Sequence, residues 1–195
     1  LMIHNGTSTG SAIGVNPDVD WTRYYMEFSD FPYVYDFDYK AFDSSHSKLI
    51  FEIVRDRILT PGNGFDERVR EYIDSLCFST HRFGDVEYLT DGALPSGCSG
   101  TTVVNNLINN VIVRAVLRKL YTGWDEGDIA VVCYGDDLLL GSKIPLDLDK
   151  MVAAFSDLGY TVTPADKSGV FNPLSTIDSV TFLKRKFVKD PEHPF

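Results

Sequence analysis

Cysteines are few in this sequence, and they form no arrangement typical of a structural site. The three cysteines, Cys77, Cys98 and Cys133, are odd in number, far apart and without a CxxC pair. This pattern predicts free thiols in a reducing compartment and argues against a disulfide framework or a zinc site. The four histidines are scattered and include no HExxH pattern, which also argues against zinc.

Long apolar runs and targeting signals are missing as well. No apolar run reaches the ~20 residues of a membrane-spanning helix. The opening stretch, LMIHNGTSTG, lacks the basic region and the apolar stretch of a signal peptide. The sequence has 195 residues, of which 44% are hydrophobic and 24% charged. These values predict a soluble globular domain with a full core.

Basic residues are outnumbered, with 18 Lys and Arg against 28 Asp and Glu and a formal net charge of −10. Nucleic-acid-binding domains usually carry a basic surface, so this balance argues against that class of protein. Carboxylates have another use, however, because hard divalent cations prefer oxygen ligands.

The apolar periodicity predicts strands that alternate with helices. The predicted strands and hairpins are 31–39, HRFGDVEYL, DIAVVCYGDDLLLG and TIDSVTFLKRKFV. Four helices are predicted: one after Ser47, one after a cap at Asp66, one from Thr101 to Tyr121 and one from Asp147 to Leu158. The Gly/Ser/Thr-rich stretch NGTSTGSAIGVN lacks the ending of a P-loop and is predicted to be a connection. This combination indicates an α+β domain with helices on one face of an antiparallel sheet.

The stretch VVCYGDDLLLG, residues 131–141, places two adjacent aspartates inside an apolar run. Two like charges ~4 Å apart repel by about 4 kcal/mol at the effective dielectric near a protein surface. A two-residue turn at Gly135 and Asp136 would bring Asp136 and Asp137 to an exposed tip. A polar turn alone would explain the pair, so its meaning depends on the rest of the sequence.

A second acidic stretch is DFDYKAFDSS. Asp36 and Asp38 point to one face of the predicted strand, because side chains alternate along a strand, and Asp38 lies at its end. Asp43 would follow the strand at the start of a turn or helix. Aspartate is also common as a helix cap, so the stretch alone does not require a functional site.

A third stretch, LPSGCSGTTVVNNLINN, bends through glycines and then opens onto a helix, a setting that favours anions. Thr101, Asn105 and Asn109 follow at four-residue steps and predict a polar face opposite the apolar stripe of the helix. Solvent exposure explains poorly why four asparagines crowd into residues 105–110, because asparagine is a mediocre helix former.

Taken together, these stretches resemble the motifs of the picornavirus RNA-dependent RNA polymerases, in the same chain order. DYKAFD resembles the first motif, PSGCSGTTVVN the second, YGDD the third, TPADKS the fourth and FLKRKF the fifth. GSAIGVNPDVDW and LTPGNGFDERVREYIDSL are similar to the cardiovirus and aphthovirus branch. The resemblance covers nearly the whole chain.

The resemblance implies a polymerase palm. Its fold would be α+β, with an antiparallel sheet of the RRM-like βαββαβ type backed by helices, plus part of the inner fingers. Residues 1–30 would connect fingers to palm, and 31–180 would form the palm with a finger-side insertion around 60–95. Residues 181–195 would begin a palm–thumb hairpin. Most of the basic fingers and the thumb would lie outside this chain, which would account for its acidic charge.

The implied activity is two-metal transfer of nucleotides onto a primer 3′-hydroxyl during viral genome replication. Asp38 and Asp136 would be the principal ligands of two Mg²⁺ or Mn²⁺ ions, with Asp137 as a supporting ligand. The implied partners are template and primer RNA, nucleoside triphosphates, a protein primer and other viral replication proteins. The implied location is the host cytoplasm, at membrane-associated replication complexes.

The resemblance also implies a set of residues around the ribose. Asp43, Ser96 and Asn105 would hydrogen-bond around the 2′-hydroxyl, and a site built for a hydroxyl rejects a substrate that lacks it. Thr101 would support this set. Gly97 would let the loop flex and approach the template.

Three basic residues have implied roles next to simpler explanations. Lys167 in PADKS would be the general acid that protonates the leaving pyrophosphate, although it could also be a solvated loop lysine. Lys184 and Arg185 in FLKRKF would contact phosphates of the primer strand, although they could also form an ordinary basic turn.

Three other functions fit part of the pattern. A reverse transcriptase also has paired aspartates in a hairpin, but the combination of Asp43 and Asn105 argues against a deoxyribonucleotide substrate. A nucleotidyl cyclase or other palm-type transferase would share the metal ligands but would not need FLKRKF. A non-catalytic acidic module would only bind cations.

Overall fold

The computed structural model describes residues 9–123 and 127–188. Its helices are α1 (Pro17–Ser29), α2 (Lys48–Ile53), α3 (Glu67–Cys77), α4 (Thr101–Leu120) and α5 (Leu148–Asp157). Its strands are β1 (Tyr33–Tyr39), β2 (Phe78–Phe83), β3 (Val86–Asp91), β4 (Ile129–Tyr134), β5 (Asp137–Ser142), β6 (Val162–Thr163), β7 (Thr181–Phe182) and β8 (Arg185–Lys186). Parts of the predicted fingers connection (1–8) and palm–thumb hairpin (189–195) lie outside the described residues.

An antiparallel sheet with the strand order β4-β5-β1-β6 lies at the centre of the fold. Along the chain its strands and the two helices between them follow the order β1, α4, β4, β5, α5, β6, with α2 to β3 inserted after the first strand. The pairs β2–β3 and β7–β8 form separate two-stranded sheets. The predicted mixture of helices and antiparallel strands is confirmed.

The central strands are buried on both faces of the sheet. Leu138 and Leu140 pack into one core with α4 and α5, whereas Leu139 packs into a second core on the opposite face. Strands that are covered on both sides read as continuous apolar runs, and LLLG is such a run. The hydrophobic core therefore lies in two layers, one on each side of the sheet.

Helix α1 forms much of the second layer, although no helix was predicted there from the sequence. The prediction of helices on one face only was wrong, because Tyr24 and Phe28 of α1 pack against the other face. The start of α1 has recognisable signals, since the Asn16 side chain accepts a hydrogen bond from the Asp18 amide and Pro17 opens the helix. These signals adjoin a Gly/Ser/Thr-rich stretch that was interpreted as a connection.

Other helix boundaries agree with the sequence. The Asp66 side chain accepts a hydrogen bond from the Arg68 amide at 2.9 Å, which confirms the cap of α3. Asp147 caps α5 in the same way, and Gly159 follows the helix with a φ of +88°. The helix after Ser47 is α2, which passes into a π-helical turn at Val54–Ile58.

None of the helices in the described ranges is long and apolar enough to cross a membrane. The three cysteines all lie within these ranges and are free thiols, two of them buried.

We expect Leu139→Ala to lower the free energy of unfolding by about 2–5 kcal/mol, because Leu139 is fully buried and its truncation leaves a cavity. Leu49→Ala is the matched control, since Leu49 is 63% exposed. Denaturant unfolding measures both changes. Equal effects at the two positions would contradict the assignment of a second buried layer.

Candidate active site

The register between β1 and β5 brings Asp38 beside the acidic turn. Phe37 and Leu138 are the last partners of the two strands, and the next residues, Asp38 and Asp137, lie just beyond this pair and line the same cavity. Alternation along β1 and β5 directs both side chains away from Phe37 and Leu138, toward the face that carries Leu139. Two carboxylates distant in sequence therefore become neighbours.

Asp136 is held at the tip of a tight turn. Tyr134 and Asp137 are the last partners of β4 and β5, which leaves Gly135 and Asp136 as a two-residue turn. Gly135 has a φ of +61°, a conformation that favours glycine. Asp136 is exposed and Asp137 is half-buried. The hairpin predicted from VVCYGDDLLLG is confirmed.

Asp38, Asp136 and Asp137 line one cavity of about 450 Å³. The other polar residues in its wall are Thr102, Asn105, Tyr134, Lys167, Thr181 and Lys184. The structure therefore brings all three predicted metal ligands to the same cavity.

Burial and neighbouring negative charge make ionisation of Asp136 and Asp137 unfavourable. Burial raises the pKa of Asp137 to about 6, and the charges of Asp136 and Asp38 add to this effect while Lys184 opposes it. Partial desolvation at the cavity wall also raises the pKa of Asp136, although the residue as a whole is exposed, and the charges of Asp38 and Asp43 contribute further. A bound cation would relieve this repulsion.

The donor set fits a divalent cation by its chemistry. Carboxylate oxygens are the ligands that Mg²⁺ and Mn²⁺ prefer, and three carboxylates share this cavity. Within residues 9–123 and 127–188, no three His, Cys, Asp or Glu side chains already converge as a finished metal site. Asp38, Asp136 and Asp137 are thus close enough to line one cavity but are not yet gathered around a single point.

The three predicted basic residues occupy different positions. Lys167 Nζ lies 3.9 Å from Asp38 Oδ2, and Lys184 lines the same cavity. Arg185 is not among the residues that line this cavity, and it pairs with Asp18 of α1 at 3.3 Å. The structure therefore brings two of the three to the aspartates.

Asp43, Ser96 and Asn105 form a hydrogen-bonded set at the edge of the cavity. Asp43 lies in a 3₁₀ turn, Asp43–Ser45, shortly after β1. Ser96 Oγ donates to Asp43 Oδ2, and Asn105 Nδ2 donates to Asp43 Oδ1 at 2.6 Å. The predicted ribose set is thus assembled around one carboxylate, and Asn105 also lines the cavity.

The loop before α4 carries Ser96 and is anchored by Thr101. Thr101 Oγ1 donates to the Cys98 carbonyl at 2.8 Å, which ties the loop to the first turn of the helix. Gly97 has a φ of +84°, and a Cβ built there would meet no atom within 4 Å. Thr101 thus supports the loop rather than the ribose set directly.

The asparagines of α4 lie in the interior, so the prediction of a polar face opposite the apolar stripe was wrong. Asn109 Nδ2 donates to the Gly135 carbonyl at 3.0 Å, and Asn109 Oδ1 accepts from the Tyr39 hydroxyl at 3.0 Å. Asn106 Nδ2 donates to the Cys133 carbonyl at 2.6 Å. These side chains hold the acidic turn in place. Their crowding in a helix was the sequence signal for this role.

Comparison with known proteins identifies the family. Residues 1–194 match the viral RNA-dependent RNA polymerase family. The chain belongs to this family. The polymerase chain is 48% identical over 184 residues to the genome polyprotein of Theiler's murine encephalomyelitis virus. This match covers 94% of the chain and 8% of that polyprotein. The chain is 45% identical over 185 residues to the encephalomyocarditis virus polyprotein, with 95% and 8% covered.

A solved structure gives the same family. The polymerase chain superposes on the Sicinivirus 3Dpol RNA-dependent RNA polymerase with a TM-score of 0.87 and 32% sequence identity. This match covers 100% of this chain and 42% of that one. The chain therefore spans less than half the length of the solved polymerase and a small part of the viral polyproteins.

We expect Asp137→Asn to stabilise the protein at neutral pH when divalent cations are absent. The folded-state pKa of about 6 lies above the ~3.9 of a solvated aspartate, so the folded state retains this proton to higher pH than the unfolded state. Stability contributed by the protonated carboxyl is complete below about pH 4 and is lost as the pH rises through about 6.

Thermal unfolding in a chelator between pH 4 and pH 8 measures this effect. The gain in Tm from Asp137→Asn should grow across that interval. Asp85→Asn, at the exposed tip of the β2–β3 hairpin, is the control and should change Tm little at any pH. A gain at position 137 that does not vary with pH would show that ionisation of the Asp137 carboxyl is not the cause.

Proposed function

We propose that this chain is the palm, with part of the inner fingers, of a picornavirus RNA-directed RNA polymerase. The complete enzyme would extend a primer on an RNA template from nucleoside triphosphates during genome replication. The observation that carries this proposal is the shared cavity of Asp38, Asp136 and Asp137, with Asn105 in its wall, in a chain of this family.

The arrangement of the sheet supports the division into regions. The βαββαβ order of the central sheet fits a palm over residues 31–180, with the α3 to β3 region as the finger-side insertion around 60–95. Residues 1–30 would then lead in from the fingers. The β7–β8 pair would begin the hairpin toward the thumb within residues 181–195.

The three aspartates would hold two Mg²⁺ or Mn²⁺ ions, Asp38 and Asp136 as principal ligands and Asp137 as support. When bound, the ions supply charge neutralisation at the attacking and leaving oxygens. The role of the protein is to keep the carboxylates in one cavity at a fixed spacing. The β1–β5 register and the Gly135 turn provide that spacing.

Asp43, Ser96 and Asn105 would orient the ribose of the incoming nucleotide. Asp43 already accepts hydrogen bonds from the other two, so its carboxylate is fixed before a substrate arrives. A 2′-hydroxyl would form a hydrogen bond with this set, whereas a deoxyribose would form none. The set would therefore select ribonucleotides.

The basic residues would act on phosphates. Lys167 would donate the proton of its Nζ to the leaving pyrophosphate, and its place 3.9 Å from Asp38 supports this role. Lys184, in the wall of the cavity, and Arg185 would contact primer-strand phosphates. These contacts would position the RNA without reading its sequence.

The partners of the complete polymerase would be template and primer RNA and nucleoside triphosphates, with a protein primer and other replication proteins. The relatives are viral genome polyproteins, and this chain matches a part of each. This relationship supports action in the host cytoplasm, at membrane-associated replication complexes.

We expect Asp38→Ala and Asp136→Ala each to lower Mg²⁺-dependent primer extension by the complete polymerase about a thousandfold or more. The metal ligands supply several kcal/mol of transition-state stabilisation, and each 1.36 kcal/mol is a factor of ten in rate. Primer extension with a labelled RNA primer measures the loss. Asp85→Ala is the control and should retain full activity. Near-normal synthesis by either site variant would refute the proposed function.

We expect Asn105→Ala to relax the choice between a ribonucleotide and the matching 2′-deoxynucleotide by about tenfold or more, because Asp43 loses a fixed donor. Single-nucleotide incorporation kinetics give kcat/KM for both substrates. Asn172→Ala, on an exposed loop, serves as the control. If the ratio is unchanged at position 105, the set does not select the sugar.

A further inference from the structure

A buried histidine lies behind the ribose set and has no role in the mechanism described so far. His46 is 3% exposed and follows the turn that carries Asp43. Aromatic rings surround it, with Phe42 at 4.5 Å, Tyr160 at 5.9 Å and Phe51 at 6.0 Å between ring centroids. A histidine enclosed in this way needs partners for both of its ring nitrogens.

Both ring nitrogens have partners. His46 Nε2 lies 2.8 Å from Asn105 Oδ1, and His46 Nδ1 lies 3.2 Å from the Tyr160 hydroxyl. On the other side of the amide, Asn105 Nδ2 donates to Asp43 Oδ1. The Asn105 side chain thus links His46 to the Asp43 carboxylate.

The chemistry of these groups assigns the direction of each hydrogen bond. Asn105 must present its NH₂ to the Asp43 carboxylate, so its carbonyl oxygen faces His46 and can only accept. His46 Nε2 therefore carries the proton. In the neutral ring Nδ1 then accepts from the Tyr160 hydroxyl. Burial lowers the pKa of His46, which favours this neutral form.

The segment that carries His46 also holds the loop of Ser96. The His46 carbonyl accepts from the Ala93 amide at 2.8 Å, and the Asp43 carbonyl accepts from the Leu94 amide at 2.7 Å. One short segment is therefore bonded both to α4, through Asn105, and to the loop before it.

We propose that His46 is a positioning residue for sugar selection, whose Nε2–H holds the Asn105 amide with its NH₂ toward Asp43 and the ribose. This inference rests on the proposed function. A 2′-hydroxyl would compete with Asn105 for the Asp43 carboxylate when a nucleotide binds. His46 then remains the contact that keeps the amide from turning.

The test uses three variants of the complete polymerase. His46→Phe fills the aromatic cage but removes the donor, His46→Gln restores an N–H donor on a polar side chain, and Tyr160→Phe removes the partner of Nδ1. His81→Phe, on the β2–β3 hairpin, is the matched control. The readout is the ratio of kcat/KM for a ribonucleotide to that for its 2′-deoxy analogue.

We expect His46→Phe to lower this ratio about tenfold, His46→Gln to recover most of it, and Tyr160→Phe to lower it severalfold. A purely structural role would lower both kcat/KM values together and leave the ratio unchanged, which would overturn the inference. If thermal unfolding shows that His46→Phe does not fold, Tyr160→Phe decides. A severalfold lower ratio in Tyr160→Phe then supports the inference, and a ratio equal to that of the control overturns it.

Asn105→Ala separates this inference from the proposed function. A changed ratio for Asn105→Ala with an unchanged ratio for His46→Phe overturns the role of His46 alone. An unchanged ratio for Asn105→Ala refutes sugar selection by the ribose set, and the proposed role of His46 is refuted with it. Because His46 acts through Asn105, the double variant His46→Phe with Asn105→Ala should be no less selective than Asn105→Ala alone. If the two substitutions lower the ratio additively, His46 does not act through Asn105.

Discussion

The antiparallel register between β1 and β5 is the constraint on which the site depends. A slip of one residue would turn Asp38 to the other face of the sheet, because side chains alternate along a strand. The register is fixed by burial, since Phe37 and Leu138 lie in one core and Leu139 in the other. Apolar packing thus supplies the free energy that holds Asp38 and Asp137 together against their repulsion.

Helix α4 links the acidic turn to the ribose set. Asn109 bonds the Gly135 carbonyl and Asn105 bonds the Asp43 carboxylate, one helical turn apart. An unpaired buried polar group costs about 1–3 kcal/mol, so each of these contacts is difficult to break. The groups proposed to hold metal and those proposed to recognise the sugar are therefore fixed relative to one helix. Movement of α4 would displace both.

Local chemistry made much of the fold predictable. The strand at 31–39, the cap at Asp66 and the turn at Gly135 each have a short-range signal, and the structure has all three. The meeting of Asp38 with Asp136 was predicted from resemblance to a family, because no spacing along the chain reports a distant contact. The buried asparagines and His46 were missed for the same reason. Polarity alone does not distinguish a solvated side chain from one bonded to a buried carbonyl.

The position of divalent cations in crystals of the complete polymerase tests the central claim most directly. Crystals soaked in Mn²⁺ would locate the ion by its anomalous scattering. We predict Mn²⁺ in the cavity lined by Asp38 and Asp136, with carboxylate oxygens of both as ligands at about 2.1 Å, close to the Mg²⁺ distance. Mn²⁺ bound elsewhere, with these two carboxylates left without an ion at saturating concentration, would contradict it.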